Sequence, residues 1–182
     1  MMNGLTITQF SPSDLEQVCH VFETAIPNAF EQDGIGHLTD DMRAEIEYKI
    51  NTFRSAMDRD EPETCFWLAK REGVVVGTVS FGPSGEDIKA CTGNQLEQVG
   101  ELGSLYVLPD DQGQGIASAL IREVVTYLHE RGIEQFCLDS GYKSAQAKWT
   151  KKFGEPYVVV KDYWGPDTAH MVWLCSVVDF LD

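Results

Sequence analysis

A short loop with two glycines, placed between a strand and a long helix, is the segment of this sequence with the clearest chemical use. The loop reads Gln112-Gly-Gln-Gly-Ile-Ala117, and an apolar-periodic helix begins at Ile116. Glycines allow backbone N–H groups to approach a ligand without a Cβ in the way. The first N–H groups of a helix lack intrahelical partners, and they carry a partial positive charge. The segment therefore predicts an anion site that suits a diphosphate.

Two other phosphate-binding loops fit the sequence less well. A P-loop needs a lysine, and none follows Gly115. A dinucleotide fingerprint would match Gly113 and Gly115, but Ser118 stands in place of its third glycine, and Asp139 is only a loose match to its acidic residue. A loop whose glycines serve tight packing alone stays open as an alternative at this point.

The elements that must position this loop follow from apolar periodicity and turn residues. The predicted strands cover 5–10, 64–71, 74–81, 102–108, 135–140, 156–163 and 169–178. The first predicted helix starts at Ser11 or Ser13, and further helices are predicted over 39–57, 116–131 and 144–153. Pro27 predicts a loop over 27–38. A second loop is predicted over 83–98, and it could include a short helix. The order of elements favours a mixed, mostly antiparallel sheet with helices on both faces.

The central segment resembles the GCN5-related N-acetyltransferase family. The family's core motif is Gln/Arg-x-x-Gly-x-Gly/Ala after a strand that ends in Val-x-Pro, and here Gln112–Ala117 follows Leu105-Tyr-Val107-Leu-Pro109. The match extends through the next helix and strand to the helix end at Trp149–Gly154, about half of the chain. The resemblance implies an α/β (α+β) fold with a mixed sheet of about seven strands, and we expect one domain over 1–182.

The resemblance also implies a site for acetyl-CoA along the strand and the loop. In the family the strand splays from its neighbour and pairs with the pantetheine arm, while the loop amides hold the pyrophosphate. The implied pantetheine contacts are Leu105, Tyr106 and Val107. The implied pyrophosphate contacts are Gln112, Gly113, Gln114, Gly115, Ile116, Ala117 and Ser118. Ser144 stands near the place of an asparagine that is common in the family, and it is a further candidate contact.

Glu101 is the candidate base, because family members with a glutamate base have it six residues before the position of Val107. An alkylammonium is not a nucleophile until it loses a proton. Strict strand alternation would place Glu101, Gly103, Leu105 and Val107 on one face. Glu101 would then lie about 20 Å from Val107 along the strand and act through water. Glu97 is a weaker alternative, and a solvated carboxylate at a strand start is the non-catalytic interpretation.

One departure from the family concerns the general acid. The family often has a tyrosine four residues before the glycine of the last helix end, and here Thr150 stands four residues before Gly154. Tyr142 and Tyr163 are the candidate substitutes. A thiolate of ordinary pKa also needs little help to leave at neutral pH.

Composition narrows the function classes further. The net charge of −15 argues against nucleic acid as a partner and is compatible with a cationic substrate. No apolar run reaches membrane-spanning length, so we expect a cytoplasmic protein without a membrane partner. The scattered cysteines and histidines predict buried thiols and no metal. A homodimer is left open.

We therefore expect an acetyl-CoA-dependent N-acetyltransferase acting on a primary amine of a small molecule or peptide. The acetyl group would pass by direct attack in a ternary complex. A non-catalytic acyl-CoA-binding regulatory module is the alternative. A nucleotide-binding oxidoreductase fits less well, because the chain lacks a repeated βαβ order.

Overall fold

The computed structural model describes residues 4–181, which form one seven-stranded sheet with five α-helices. The strands are β1 (Leu5–Gln9), β2 (Cys65–Arg71), β3 (Val74–Gly82), β4 (Glu101–Val107), β5 (Gln135–Ser140), β6 (Val158–Val160) and β7 (His170–Ser176). The helices are α1 (Leu15–Gln32), α2 (Thr39–Met57), α3 (Glu86–Thr92), α4 (Ile116–Glu130) and α5 (Lys143–Phe153).

The strand order in the sheet is β1-β2-β3-β4-β5-β7-β6. The β4–β5 pair is parallel, and the other neighbouring strands are antiparallel. This arrangement confirms the predicted mixed, mostly antiparallel sheet with helices on both faces.

Helices α1, α2 and α3 cover one face of the sheet, and α4 and α5 cover the other. On the first face Phe22 of α1 and Phe53 of α2 pack against Phe66, while Ile88 of α3 packs against β5 and β7. On the second face a larger core centres on α4 and Trp173. Each such side chain contributes about 1.5–3 kcal/mol through removal from water. Among residues 4–181, no helix combines the length and apolarity that crossing a lipid bilayer requires.

Helix α1 continues through Pro27 to Gln32, so the predicted loop over 27–38 is wrong at its start. A proline inside a helix removes one backbone hydrogen bond and costs about 3 kcal/mol. Ile26 and Phe30 flank that position and are both buried in the α1–α2 core. Their burial offsets the cost, and the turn between the two helices is confined to residues 33–38.

A β-bulge in β4 overturns the predicted alternation of Glu101, Gly103, Leu105 and Val107. Thr78 lies opposite Tyr106 and Ser80 lies opposite Gly103, so three steps on β4 match two steps on β3. Ser104 at the bulge has a φ of 48°, which is left-handed. The extra residue reverses the faces. Leu105 and Val107 pack in the core beneath α4, whereas Tyr106 points to α1 on the same side as Glu101.

The bulge is held by one buried hydrogen bond, and this generates a stability prediction. The hydroxyl of Thr78, fully buried, donates to the carbonyl of Ser104 at 2.7 Å. We expect Thr78→Val to lower the free energy of unfolding by ~1–2 kcal/mol, because a buried carbonyl loses its donor. Urea unfolding followed by circular dichroism measures this.

Thr126→Val is the matched control, because the exposed Thr126 hydroxyl makes the same type of bond to the carbonyl of Arg122. We expect that variant to stay within about 0.5 kcal/mol of the parent. Equal effects of the two substitutions would contradict a role for Thr78 in holding the bulge.

Candidate active site

The site begins where β4 and β5 separate. The two strands share a single residue pair, Glu101 opposite Cys137, next to a bond from the Cys137 N–H to the Gly100 carbonyl at 2.9 Å. Beyond this pair, no further β4–β5 ladder pair occurs among residues 4–181. Leu105, Tyr106 and Val107 all lie on this diverging part of β4. Backbone groups along such an edge need a partner from water or a ligand.

The loop after β4 presents its backbone amides to the same opening. Gly113 and Gly115 have φ values of 73° and 83°, and a Cβ at either position would meet nothing within 4 Å. Gly115 is the N-cap of α4, and in the described part of the chain no side-chain hydrogen bond caps this helix. Within residues 4–181, no backbone carbonyl accepts a hydrogen bond from the N–H groups of 113–118. The segment thus combines open donors with a helix N-terminus, which is the arrangement that binds phosphate.

Side-chain hydrogen bonds hold this loop in place, and the sequence did not predict the contribution of Arg71. Arg71, at the end of β2, pairs with Asp111 and donates to the Gln114 carboxamide oxygen at 2.9 Å. Gln112 donates to the carbonyl of Val107 at 3.1 Å and folds the loop back onto β4. Arg71 lies 40 residues from Asp111 in sequence, so only strand pairing could have indicated the contact.

A lysine also reaches the N-terminus of α4 from α5. The Lys152 ammonium group donates to the Ser118 hydroxyl at 3.3 Å. It therefore adds a positive charge beside the open amides, in a chain whose net charge is −15. No pattern in the sequence singled out Lys152, because its partner lies on a different helix.

Glu101 lies at the point where β4 and β5 begin to separate, at the wall of a small cavity. Its Oε2 atom accepts a hydrogen bond from the Gly85 N–H at 2.6 Å, just before α3. The cavity measures about 60 Å³, and its lining includes Lys49 and Thr52 of α2 together with Ser80. This is room for a few water molecules.

Burial is the main cause that raises the pKa of Glu101, to about 7. The negative charge of Asp139 raises the pKa further, and Asp87 adds a smaller effect in the same direction. The positive charge of Lys49 and the Gly85 hydrogen bond oppose them. A carboxyl group with this pKa is ionised in part at neutral pH and can accept a proton from an ammonium group.

The other candidate base is placed less favourably. Glu97 is exposed and accepts a hydrogen bond from the Gln98 side chain at 3.2 Å. It lies outside the cavity lining that contains Glu101.

Tyr142 lies at the carboxyl end of β5, beside the opening between the strands. Its ring packs against Phe30, and its hydroxyl group interacts with that of Tyr106. Burial raises the pKa of Tyr142 well above its ordinary value, so the group is a phenol at neutral pH. Tyr163 donates its hydroxyl proton to Asp87 at 2.8 Å, and burial raises its pKa in the same way. Thr150 lies on α5 and is half-buried.

The N-terminus of α5 is occupied by a side chain of the protein itself. Asp33, in the turn after α1, accepts from the Lys143 N–H at 2.6 Å and from the Ser144 N–H at 3.1 Å. The amide of Ser144 is therefore engaged by Asp33, so a contact from Ser144 to pantetheine would have to come from its hydroxyl group.

Comparison with protein families gives one match that covers most of the chain. A model described as the acetyltransferase (GNAT) family matches residues 20–154. Among curated proteins, human N-acetyltransferase 8B is 35% identical over 77 residues, which is 42% of this chain and 31% of that protein. This chain thus spans about a third of the length of the curated relatives it matches.

Solved structures show the same fold at low sequence identity. A putative acetyltransferase of the GNAT family from Desulfovibrio desulfuricans aligns with a TM-score of 0.67 at 16% identity, over 95% of this chain and 99% of the other. The PaiA N-acetyltransferase of Thermoplasma acidophilum, solved in complex with coenzyme A, aligns with a TM-score of 0.65 at 15% identity, over 93% and 98%.

The helix N-terminus at Gly115 generates a binding prediction that separates charge from backbone strain. Asp and Asn have nearly the same shape, and both tolerate a positive φ better than most residues. We expect Gly115→Asp to raise the Kd for acetyl-CoA about 10-fold or more above that of Gly115→Asn, because it places a carboxylate beside the diphosphate. Isothermal titration calorimetry measures both, with circular dichroism as the check on folding. Equal affinities would exclude a diphosphate at this position.

Proposed function

The chain belongs to the acetyltransferase (GNAT) family, and we propose that it transfers the acetyl group of acetyl-CoA to a primary amine of a small molecule or peptide. The observation that carries this proposal is the place of Glu101. A carboxyl group with a pKa of about 7 lies where β4 and β5 begin to separate. The open amides of 113–118 follow at the other end of β4.

In the proposed complex, acetyl-CoA binds both to the loop after β4 and along β4 itself. The diphosphate lies on the amides of 113–118, with Lys152 adding positive charge. The pantetheine arm pairs with the edge of β4 that has separated from β5. A backbone N–H near Tyr106 or Val107 then polarises the thioester carbonyl.

Glu101 takes the proton from the acceptor ammonium, through a water molecule in the 60 Å³ cavity. The free amine attacks the thioester carbon, and a C–N bond forms. The nitrogen of the tetrahedral intermediate releases its second proton to solvent as the C–S bond breaks, and coenzyme A leaves as the thiolate. No covalent intermediate on the protein is needed, since both substrates are bound at once.

Carboxylates dominate the surroundings of Glu101 and favour a cationic acceptor. Asp139 and Asp87 both act on Glu101, and Lys49 is the basic side chain that acts on it. Burial alone would lower the pKa of Lys49, but Glu45, Glu101 and Asp139 raise it, so Lys49 is charged and engaged by acidic groups. A positively charged amine would be attracted to this region.

Tyr142 is the better placed proton donor to the departing thiolate. It lies beside the opening between β4 and β5, whereas the Tyr163 hydroxyl donates to Asp87. Both groups hold their proton at neutral pH.

A non-catalytic acyl-CoA-binding regulatory module is the second candidate, favoured by Thr150 at the position where the family often has tyrosine. Such a module would bind acetyl-CoA through the same loop and would show no turnover with any amine.

Replacement of the proposed base separates the two candidates. We expect Glu101→Gln to lower kcat by ~10²-fold, because the amide cannot accept the proton. The acid limb of the pH–rate profile, near pH 7 in the parent, should disappear, while acetyl-CoA affinity should change little. Thiol release across a panel of amines measures turnover.

Glu97→Gln is the matched control and should retain parental kinetics, because Glu97 is exposed. Parental turnover of Glu101→Gln at every pH would rule out Glu101 as the base. The absence of turnover with every amine, despite binding of acetyl-CoA, would favour the regulatory module.

The proton donor is tested by a second matched pair. We expect Tyr142→Phe to lower kcat by ~10-fold or more, in the range of a lost general acid, and Tyr163→Phe to have a smaller effect. Thr150→Ala should retain most activity. Equal retention by both phenylalanine variants would show that the thiolate leaves without an acid from the protein, and a larger loss in Tyr163→Phe would reassign the acid.

A further inference from the structure

Three side chains behind Glu101 form a continuous chain of hydrogen bonds. The Trp164 indole N–H donates to His170 Nδ1 at 3.0 Å, and His170 Nε2 lies 2.9 Å from Asp139 Oδ2. An indole N–H can only donate, so Nδ1 of His170 must accept. The ring proton is therefore on Nε2, and it is donated to Asp139. His170 is only 4% exposed, so the imidazole at the centre of this chain is protected from solvent, whereas Trp164 at its outer end is exposed.

The sheet register places Asp139 next to Glu101. Glu101 lies opposite Cys137 across the parallel pair, and Asp139 is two residues further along β5, on the same face. On the other side of β5, Asp139 lies opposite Val172, and His170 is two residues before Val172, again on the same face. The three titratable groups are thus diagonal neighbours across three adjacent strands, on the face that α3 covers.

Two further features hold this chain of contacts in place. Gln146, buried on α5, donates from Nε2 to the carbonyls of Ser140 at 2.9 Å and Ala169 at 2.8 Å, which ties the ends of β5 and β7 together. A Cβ at Gly141 would lie 2.8 Å from the Trp164 indole nitrogen, so glycine is needed there for Trp164 to approach His170.

We propose that Trp164 and His170 are positioning residues that hold Asp139 as a carboxylate facing Glu101, and that Asp139 thereby sets the protonation of the base. This role rests on the proposed function of Glu101. The His170 N–H fixes the Asp139 oxygen. The Trp164 N–H donates to Nδ1 and thereby fixes the tautomer whose Nε2–H faces Asp139.

Among the charged groups around Glu101, Asp139 has the largest electrostatic effect on the pKa of Glu101. Lys49 from α2 and the Gly85 N–H before α3 favour the ionised form of Glu101, and Asp87 from α3 opposes it. Asp87 is itself bound by the Tyr163 hydroxyl at 2.8 Å. Without the charge of Asp139, the effect of Lys49 would prevail and Glu101 would titrate at lower pH.

The same atoms could suggest a cation site, since oxygens of Asp87 and Asp139 and a nitrogen of His170 lie within 4.8 Å of one another. Both ring nitrogens of His170 are already engaged, one by Trp164 and one by Asp139. The geometry therefore favours a hydrogen-bonded chain.

The experiment is an NMR titration of the Glu101 carboxyl carbon, assigned with Glu101→Gln, in the full chain. We expect Asp139→Asn to move the titration midpoint of Glu101 down by about 1 pH unit or more. Asp58→Asn, at the exposed end of α2, is the matched control and should leave it unchanged. An unchanged midpoint in Asp139→Asn overturns the proposal. The measurement does not require turnover, so it is separate from the test of Glu101 as the base.

Trp164→Phe tests the far end of the chain and is suited to do so because Trp164 is 57% exposed. We expect the Glu101 midpoint to move in the same direction by a smaller amount, because without the Trp164 N–H the His170 tautomer and the Asp139 oxygen are no longer fixed. Nitrogen-15 spectra should show the Nε2–H tautomer of His170 in the parent. The Nδ1–H tautomer or an imidazolium ring in the parent, or an unmoved Glu101 midpoint in Trp164→Phe, overturns the proposal.

In kinetics, the acid limb of kcat/KM for Asp139→Asn should move with the NMR midpoint, while the KM for acetyl-CoA stays at the parental value. A structural defect would instead raise the KM and leave the acid limb in place. That outcome would also overturn the proposed role of Asp139.

Discussion

The separation of β4 from β5 is the constraint on which the rest of the site depends. Two neighbouring strands of a sheet normally satisfy each other's backbone groups, and here they do so at one residue pair. The bulge at Ser104 lies just beyond that pair and adds a residue to β4, which bends and twists the strand. The fold tolerates this because β3 still pairs with β4 along its other edge and Thr78 binds the bulged carbonyl. Because β4 and β5 form no ladder hydrogen bonds beyond their single residue pair within residues 4–181, a slot lined by main-chain donors and acceptors lies between them.

The bulge also decides which side chains meet. With strict alternation, Glu101 would share a face with Val107 and would point toward α4. With one extra residue, it shares a face with Tyr106 and lies among α2, α3 and β5, where Lys49 and Asp139 act on it. The place of Glu101 beside the small cavity is thus a consequence of the backbone geometry of β4, since the opposite face of the strand packs into the apolar core beneath α4.

The sequence was sufficient to predict those parts of the structure that depend on local pattern. Helix α2 and strand β5 have the predicted bounds, because their apolar spacing and flanking turn residues agree. The prediction that a loop starts at Pro27 is wrong, because the burial of Ile26 and Phe30 outweighs the tendency of proline to end a helix. The bulge could not be predicted from the sequence either, because the residue with left-handed backbone is Ser104 and not a glycine, the usual residue in that conformation. Arg71, Lys152 and His170 are tied to partners on other elements, and a single sequence does not indicate such pairings.

Helix α2, one wall of the site, is held by less apolar packing than helix α4. It buries Phe53 and Ala56, whereas α4 buries six apolar side chains. Its position beside Glu101 depends in part on polar contacts, including the Tyr106 hydroxyl on Glu45 at 3.2 Å and the Asp33 carboxylate on the N-terminus of α5. The Asp33 contact connects the α1–α2 turn to the helix that carries Lys152. The turn that leads into α2 and the helix that contacts the α4 N-terminus are therefore linked through one carboxylate, and removal of Asp33 would leave the amides of Lys143 and Ser144 without this acceptor.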